Sequence, residues 1–310
     1  MPGISELHVL YGVKIDATVI GGITGQTIGL KTELRKDSAD GLPYATHLSI
    51  ASQEPSAGFD TRSIAAALAA CGALGQNIAS LTAKLTLYAQ KAAQGGVRTS
   101  GAAHRSYAIN AGLLLPTKLS IQHGNQDAQL SYAVHPAWNG TNNPIVLAEA
   151  VALPAWAGET ERFTLGPVTV GGILYDQLHS VDIEFGAQVK SESSDAEYWA
   201  RYVWIESFAP RIVLRGKKIL WFKDTGGVPM LGAVHTHANT SIFLRKRAAG
   251  GTFVADATAQ HIKFTAAGIA TIDDPATFKG IGPGETTMAL DTYYDGSNHP
   301  LVIATASAIA

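Results

Sequence analysis

The chain has 310 residues, 46% hydrophobic and 15% charged, with 32 glycines and a formal net charge of -2. This is the composition of a globular, weakly charged protein rather than a disordered one, and it excludes a dedicated nucleic-acid or anionic-membrane binder, which would carry a basic patch. A single cysteine, Cys71, excludes both an internal disulfide framework and a cysteine-based zinc site; set among alanines, it reads as buried filler.

The opening MPGISELHVLYGVKID has no basic region followed by an apolar run, and no apolar span is long enough for a membrane helix. A protein made in the cytoplasm is expected. Gln26–Leu30 reads as a weak half-buried strand. A polar stretch from Arg35 to Pro43 follows, then a second strand, His47-Leu-Ser-Ile50, in which Leu48 and Ile50 should face the core. Two strands around a long polar excursion predict a projecting hairpin or loop. After Pro55, Asp60 to Gly72 reads as a helix with Asp60 or Thr61 as N-cap, Ile64, Leu68 and Cys71 on one face, and Gly72 as terminator. Short strands separated by turns dominate from there, including Leu130–Val134, and the stretch ends in NGTNNPIVLA at residues 139–148.

The same order then begins again. Val181-Asp-Ile-Glu-Phe185 alternates apolar and acidic as a half-buried strand does, with Asp182 and Glu184 on a solvent face. A polar stretch (190–197) leads into Tyr202-Val-Trp-Ile205 and Pro210. Arg215 to Phe222 replaces the helix, which is expected to be shortened or lost. Strand Met288–Tyr293 precedes a second ending, DGSNHPLVIA, at residues 295–304.

Sliding the chain by 155 aligns Ile23–Phe59 with Leu178–Leu214 without a gap. It matches Ile28 with Ile183, Ser38 with Ser193, Asp40 with Asp195, Ala45 with Ala200, Ile50 with Ile205, Ser52 with Ser207 and Pro55 with Pro210. Apolar pairs such as Leu30/Phe185, Leu34/Val189 and Tyr44/Trp199 align as well, so the buried pattern recurs where identity does not. A shift of half the length is too long for a solenoid and implies a duplicated domain. The expected domains are 1–157 and 158–310, divided near Pro154–Glu161. The expected fold is mainly β: two tandem copies of an antiparallel β-sandwich or barrel, each with about one flanking helix.

Motifs of catalysis are missing. His235-Thr-His237 places two imidazoles together, but no third ligand has supporting spacing, so neither a metal nor a cofactor is expected. The glycine runs at 21–25 and 280–284 lack a phosphate-loop pattern, there is no nucleophile elbow or zinc-protease motif, and an enzyme is not expected. The sequon at Asn139 carries little weight without a secretory signal. What stands out is aromatic: if Val203 and Ile205 face inward, Tyr202 and Trp204 face outward, where they are either covered within the domain or part of a subunit interface.

The run VIGGITGQTI (19–28), a polar loop with Asp40, Tyr44-Ala-Thr-His-Leu-Ser-Ile50, Pro55 and an alanine-rich helix resembles the major tail tube proteins of long-tailed bacteriophages. The second half repeats the pattern through Asp195, Trp199–Ile205 and Pro210. The likeness covers about 60 residues of each half, and the weak second helix departs from it. It implies a virion structural protein assembled in the host bacterial cytoplasm. Two β-sandwiches per chain would make three chains resemble a six-fold ring, and the rings would stack into a channel that DNA traverses without sequence-specific binding. Implied partners are further copies of the chain and the tape measure, tail terminator and distal tail proteins. Tyr202 and Trp204, with Asp40, Tyr44, Asp195 and Trp199, are the expected interface residues, and the loops at 35–44 and 190–199 are expected to join rings along the tube. The alternative reading is a tandem β-sandwich carbohydrate-binding or adhesin-like module.

Overall fold

A computed structural model describes residues 7–39, 41–92, 98–101, 103–124, 127–155, 161–194, 197–217, 221, 227–277 and 284–309. The fold is mainly β and antiparallel throughout. In the first half, β1 (Leu7–Ile15), β2 (Thr18–Ile20), β3 (Ile23–Asp37) and β4 (His47–Thr61) precede the helix α1 (Ile64–Cys71). Then come β5 (Gln76–Asn77), β6 (Leu85–Ala92), β7 (His104–Ile109), β8 (Gly112–Gln122), β9 (Gln129–Pro136) and β10 (Val146–Val151). The second half runs β11 (Glu161–Val170), β12 (Ile173–Tyr175), β13 (Leu178–Glu184), β14 (Ala187–Glu192), β15 (Tyr202–Phe208) and β16 (Arg211–Gly216). It closes with β17 (Ala233–His235), β18 (Ser241–Ala248), β19 (His261–Ala266), β20 (Gly268–Thr277), β21 (Glu285–Thr292) and β22 (Leu301–Ser307).

Two five-stranded sheets have the orders β10-β7-β6-β1-β2 and β22-β19-β18-β11-β12. Their registers agree under a shift of 155: Val13 faces Ile20 as Val168 faces Tyr175, and the β-bulge between Leu10 and Val13 recurs between Leu165 and Val168. Both five-stranded sheets pack against one ten-stranded sheet, ordered β17-β20-β21-β16-β13-β8-β9-β4-β3 with β5 also on β8. A single continuous core results, in which Val13, Leu85 and Ile109 share a cluster with Phe59, Leu119, Ile183, Phe264 and Leu290. The boundary near residue 157 therefore marks a change in the chain but not in the core, because β8 of the first half pairs directly with β13 of the second.

Among the described residues, the matching halves differ at the long hairpin and at β20, whose pairing with β21 shifts twice where that of β8 with β9 shifts once. In the first half, β3 and β4 pair without interruption from Ile23/Thr61 to Asp37/His47. In the second, the hairpin is cut at Gly186, which has a φ of 63, and at Pro210, so β13 pairs with β16 and β14 with β15. Beyond the cut the registers coincide again, with Thr32/Gln53 matching Ala187/Phe208 and the bulge at Glu33/Leu34 matching that at Gln188/Val189.

The hairpin β3–β4 projects as expected, but its strands reach Asp37 and start at His47, so the polar stretch from Arg35 is partly strand. Leu48 and Ile50 do not face a core. They are exposed, because the outer part of the hairpin extends past the end of β9, whose pairing with β4 begins at Ala57. The helix is also shorter than expected. Asp60 and Thr61 belong to β4, Ser63 is the N-cap, and the Thr61 hydroxyl donates to the Gly21 carbonyl while accepting the Ser63 N–H. Ile64, Leu68 and Cys71 are buried on one face, and Gly72 ends the helix with its N–H on the Leu68 carbonyl. The corresponding stretch of the second half lies largely outside the described residues.

Candidate functional site

Both outer edges of the ten-stranded sheet, and the seam at its centre, bear on assembly. At the seam, β13 lies antiparallel to β8 from Ser180/Gln122 to Glu184/Lys118, and the Phe185 N–H continues the ladder to the Thr117 carbonyl at 3.0 Å. Val181, Ile183 and Phe185 are completely buried. On the outer face, Asp182 accepts from the Ser120 hydroxyl at 2.7 Å and from Arg215 at 2.5 Å, with Lys118 at 3.6 Å. Burial alone would raise the Asp182 carboxyl, but these hydrogen bonds and cations hold it below its ordinary range. The seam extends into the other layer, where Arg162 meets Asp127 at 2.6 Å and the Ala128 N–H meets the Phe163 carbonyl at 2.8 Å.

The two outer edges carry the counterparts of this seam. Among the described residues, β3 ends the sheet, and β20 is paired on its outer side only where Ala233–His235 meets Gly268–Ala270. The first-half counterparts of Ile183 and Phe185 are Ile28 and Leu30, which are 40% and 58% exposed where their second-half equivalents are fully covered. Leu165, at 9%, likewise corresponds to Leu10 at 41%. An open cleft of about 670 Å³ between β1 and β3, lined by Leu10, Tyr11, Gln26 and Ile28, runs beside this edge. Unpaired strand edges next to exposed apolar side chains are templates for another chain.

A second contact between the halves comes from the tip of the β14–β15 hairpin. It folds back onto the first half: the Gln53 N–H donates to the Tyr198 carbonyl at 2.7 Å and the Trp138 N–H to the Ala200 carbonyl at 2.8 Å. The Arg201 guanidinium sits 5.6 Å from the Trp138 ring centre, a cation–π contact. Trp199 borders a groove of about 410 Å³ with Gln53, Pro55 and Pro144. This loop is thus held against the other half of the same chain.

Of the expected interface residues, Tyr202 (56% exposed) and Trp204 (40%) do face outward, with Val203 and Ile205 half-buried beneath or beyond the hairpin. Tyr44, at 73%, is the most exposed of the expected aromatics, and Trp199 is packed in the groove. Asp40 and Asp195 lie outside the described residues.

The two histidines of the pair make separate contacts. His235 ends β17 with its ring against Gly171, where burial lowers its pKa. His237 bridges the Asp295 carboxylate at 3.0 Å and the His299 carbonyl at 2.8 Å. Among the described residues, no three His, Cys, Asp or Glu side chains gather as a metal site would require. Asp295 also accepts the N–H groups of Ser297 and Asn298, and these bonds, Asn298 foremost, hold its carboxyl well below the usual range. Asn139 makes the equivalent turn in the first half, accepting from Thr141 and Asn142. The two related endings are thus two Asx turns with Gly140 and Gly296 at positive φ.

One matched pair is invisible to the ungapped shift. Buried His104 accepts the Lys91 N–H on Nδ1 at 3.0 Å, and buried His261 accepts the Lys246 N–H in the same way at the same distance. The donor lysines are 155 apart and the histidines 157, so a fixed offset separates them. The signal in the sequence is a histidine opening each strand, HRSYAI and HIKFTA.

No protein-family model matches the chain, and no curated protein matches it at a significant level.

Proposed function

We propose that the chain is a structural subunit of a closed ring, built from two related domains, and that the rings stack into a bacteriophage tail tube through which DNA passes. One observation carries the reading. The seam between the halves is head-to-tail, and the chain ends in the two complementary edges that the seam consumes: β3, the counterpart of β13, and the outer side of β20, the counterpart of β8. A head-to-tail contact that repeats generates a ring when its rotation closes. Repeating the seam between chains would cover Ile28 and Leu30 as Ile183 and Phe185 are covered, and would pair the outer edges of the ten-stranded sheet that otherwise invite aggregation.

The number of chains comes from the resemblance to tail tube proteins, in which two domains per chain give a trimer of pseudo-six-fold symmetry. The weak net charge of -2 suits a lumen in which DNA must slide, since dense phosphate contacts would hold it in place. Tape measure, tail terminator and distal tail proteins would then be the partners at the lumen and at the two ends. Electron microscopy and mass photometry of the purified protein test the reading: rings or tubes of trimeric repeat are expected, and a monomer persisting at high concentration overturns it. Binding on a glycan array by such a monomer would favour the tandem carbohydrate-binding module instead.

A further inference from the structure

The docking of the second hairpin tip on the first half is a template for a contact between chains. Its donors, Gln53 and Trp138, have Phe208 and Tyr294 as their second-half counterparts, and Phe208 occupies the same register against Ala187 that Gln53 occupies against Thr32. Its acceptors, Tyr198 and Ala200, have Pro43 and Ala45 as first-half counterparts, with Tyr44 in the place of Trp199. The template is occupied inside the chain; the counterpart is open on both sides. Tyr44 is 73% exposed at the tip of its hairpin and Tyr294 is 60% exposed just past the end of β21.

We propose that residues 43–46 of one chain dock on the second half of the adjacent copy in the same ring. The Ala45 carbonyl accepts the Tyr294 N–H, the Pro43 carbonyl accepts the Phe208 N–H, and the Tyr44 ring meets Phe208 and Pro300 in the place where Trp199 shares a groove with Gln53 and Pro144. The proposal rests on the ring reading above and assigns the first hairpin a lateral role within a ring. The direction is consistent with the seam. Within a chain, the half that offers β13 to β8 also sends its hairpin tip onto the half that offers β8. Between chains, the half that offers β3 therefore sends residues 43–46 onto the half that offers β20. The fit is also chemical: Phe208 replaces Gln53, giving the incoming Tyr44 an aromatic neighbour. Thr46 stands where Arg201 does, so the cation–π contact has no counterpart between chains.

Residues joined by one backbone hydrogen bond have Cα atoms about 5 Å apart, within the reach of a disulfide. The double variant Ala45→Cys/Tyr294→Cys in the full chain should therefore cross-link under mild oxidation. The native Cys71 is buried, and burial pushes its thiol up to about 12, so it stays silent. On a non-reducing gel we expect covalent dimers and trimers, absent from either single variant and reversed by reductant. Rings in the microscope with monomer bands only would overturn the docking and leave the ring standing. A ladder running past the trimer would place the contact between rings and also overturn it, and the absence of both rings and cross-links would overturn both readings. Tyr44→Ala supplies an independent measure. It should leave the melting temperature of the dissociated chain unchanged while raising the concentration needed for ring formation about tenfold; an unchanged concentration counts against the docking.

Discussion

Replacing Ile28 by proline probes the free edge of β3 without touching the ladder that holds β3 in its own chain. The direction of the Ile28 N–H follows from the matched strand: Phe185 donates to Thr117 across the seam, and strand N–H groups alternate in direction, so Ile183 and Val181 also point to β8. Leu30, Ile28 and Gln26 are their counterparts and point away from β4. Pro55, which has no N–H to donate, sits opposite Leu30 in agreement with this alternation. Ile28→Pro thus removes an outward donor and leaves the incoming strand with an unmatched carbonyl. A net hydrogen bond is worth about 1 kcal/mol and an orphaned buried acceptor about 1–3 kcal/mol, so a cost of about 2 kcal/mol per interface is a modest figure. A trimeric ring repeats the interface at every subunit, and the half-assembly concentration of a trimer scales with half the summed cost, about 3 kcal/mol, which is about two orders of magnitude. The assay is mass photometry across a dilution series, paired with thermal unfolding of the dissociated chain. Assembly at the wild-type concentration refutes the edge pairing, and so does a large drop in the melting temperature of the monomer, which would mean that the donor was used within the chain. Ile183→Pro, made at the seam itself, is expected to lower that melting temperature strongly.

The other expectations concern the fold. His261→Leu leaves the Lys246 N–H without its buried acceptor and should cost about 1–3 kcal/mol, with His104→Leu similar at Lys91; chemical denaturation measures both, and a neutral effect would deny the histidines their bracing role. Asp295→Asn should preserve the turn, since Asn139 makes the same two bonds, but lose the carboxylate contact with His237. Because the folded carboxyl of Asp295 is depressed, its contribution is present above the unfolded value of about 3.9 and fades as the pH falls through and below it. The variant's deficit, read from melting temperatures at several pH values, should therefore shrink on acidification below about pH 4, and a deficit that grows there would reverse the argument.

Val181–Phe185 shows what was legible from residues alone. Alternation with period two, large apolar side chains and flanking polar residues specify a half-buried strand, and Val181, Ile183 and Phe185 are fully buried with Glu184 outside. The helix was legible through Ile64, Leu68 and Cys71, but its start was not, since Asp60 and Thr61 are held in β4 and the Thr61 hydroxyl is fixed on the Gly21 carbonyl, forty residues earlier in the chain. Leu48 and Ile50 were misread as core because alternation gives two faces without saying what covers either. The same ambiguity concealed Trp199, whose place is set by backbone groups at Gln53 and Trp138.

The sequence by itself determined the strand periodicities and the matching residue pattern of the two halves, because these depend on residues close together or on a fixed shift. Tertiary structure alone decided that the two halves share one ten-stranded sheet through β8 and β13, that Ile28 and Leu30 are bare where Ile183 and Phe185 are covered, and that one hairpin tip is docked while the other is open. The physical reason is that near-identical local patterns fold alike, whereas burial depends on the neighbour, and within one chain only one of the two equivalent edges has a neighbour to meet.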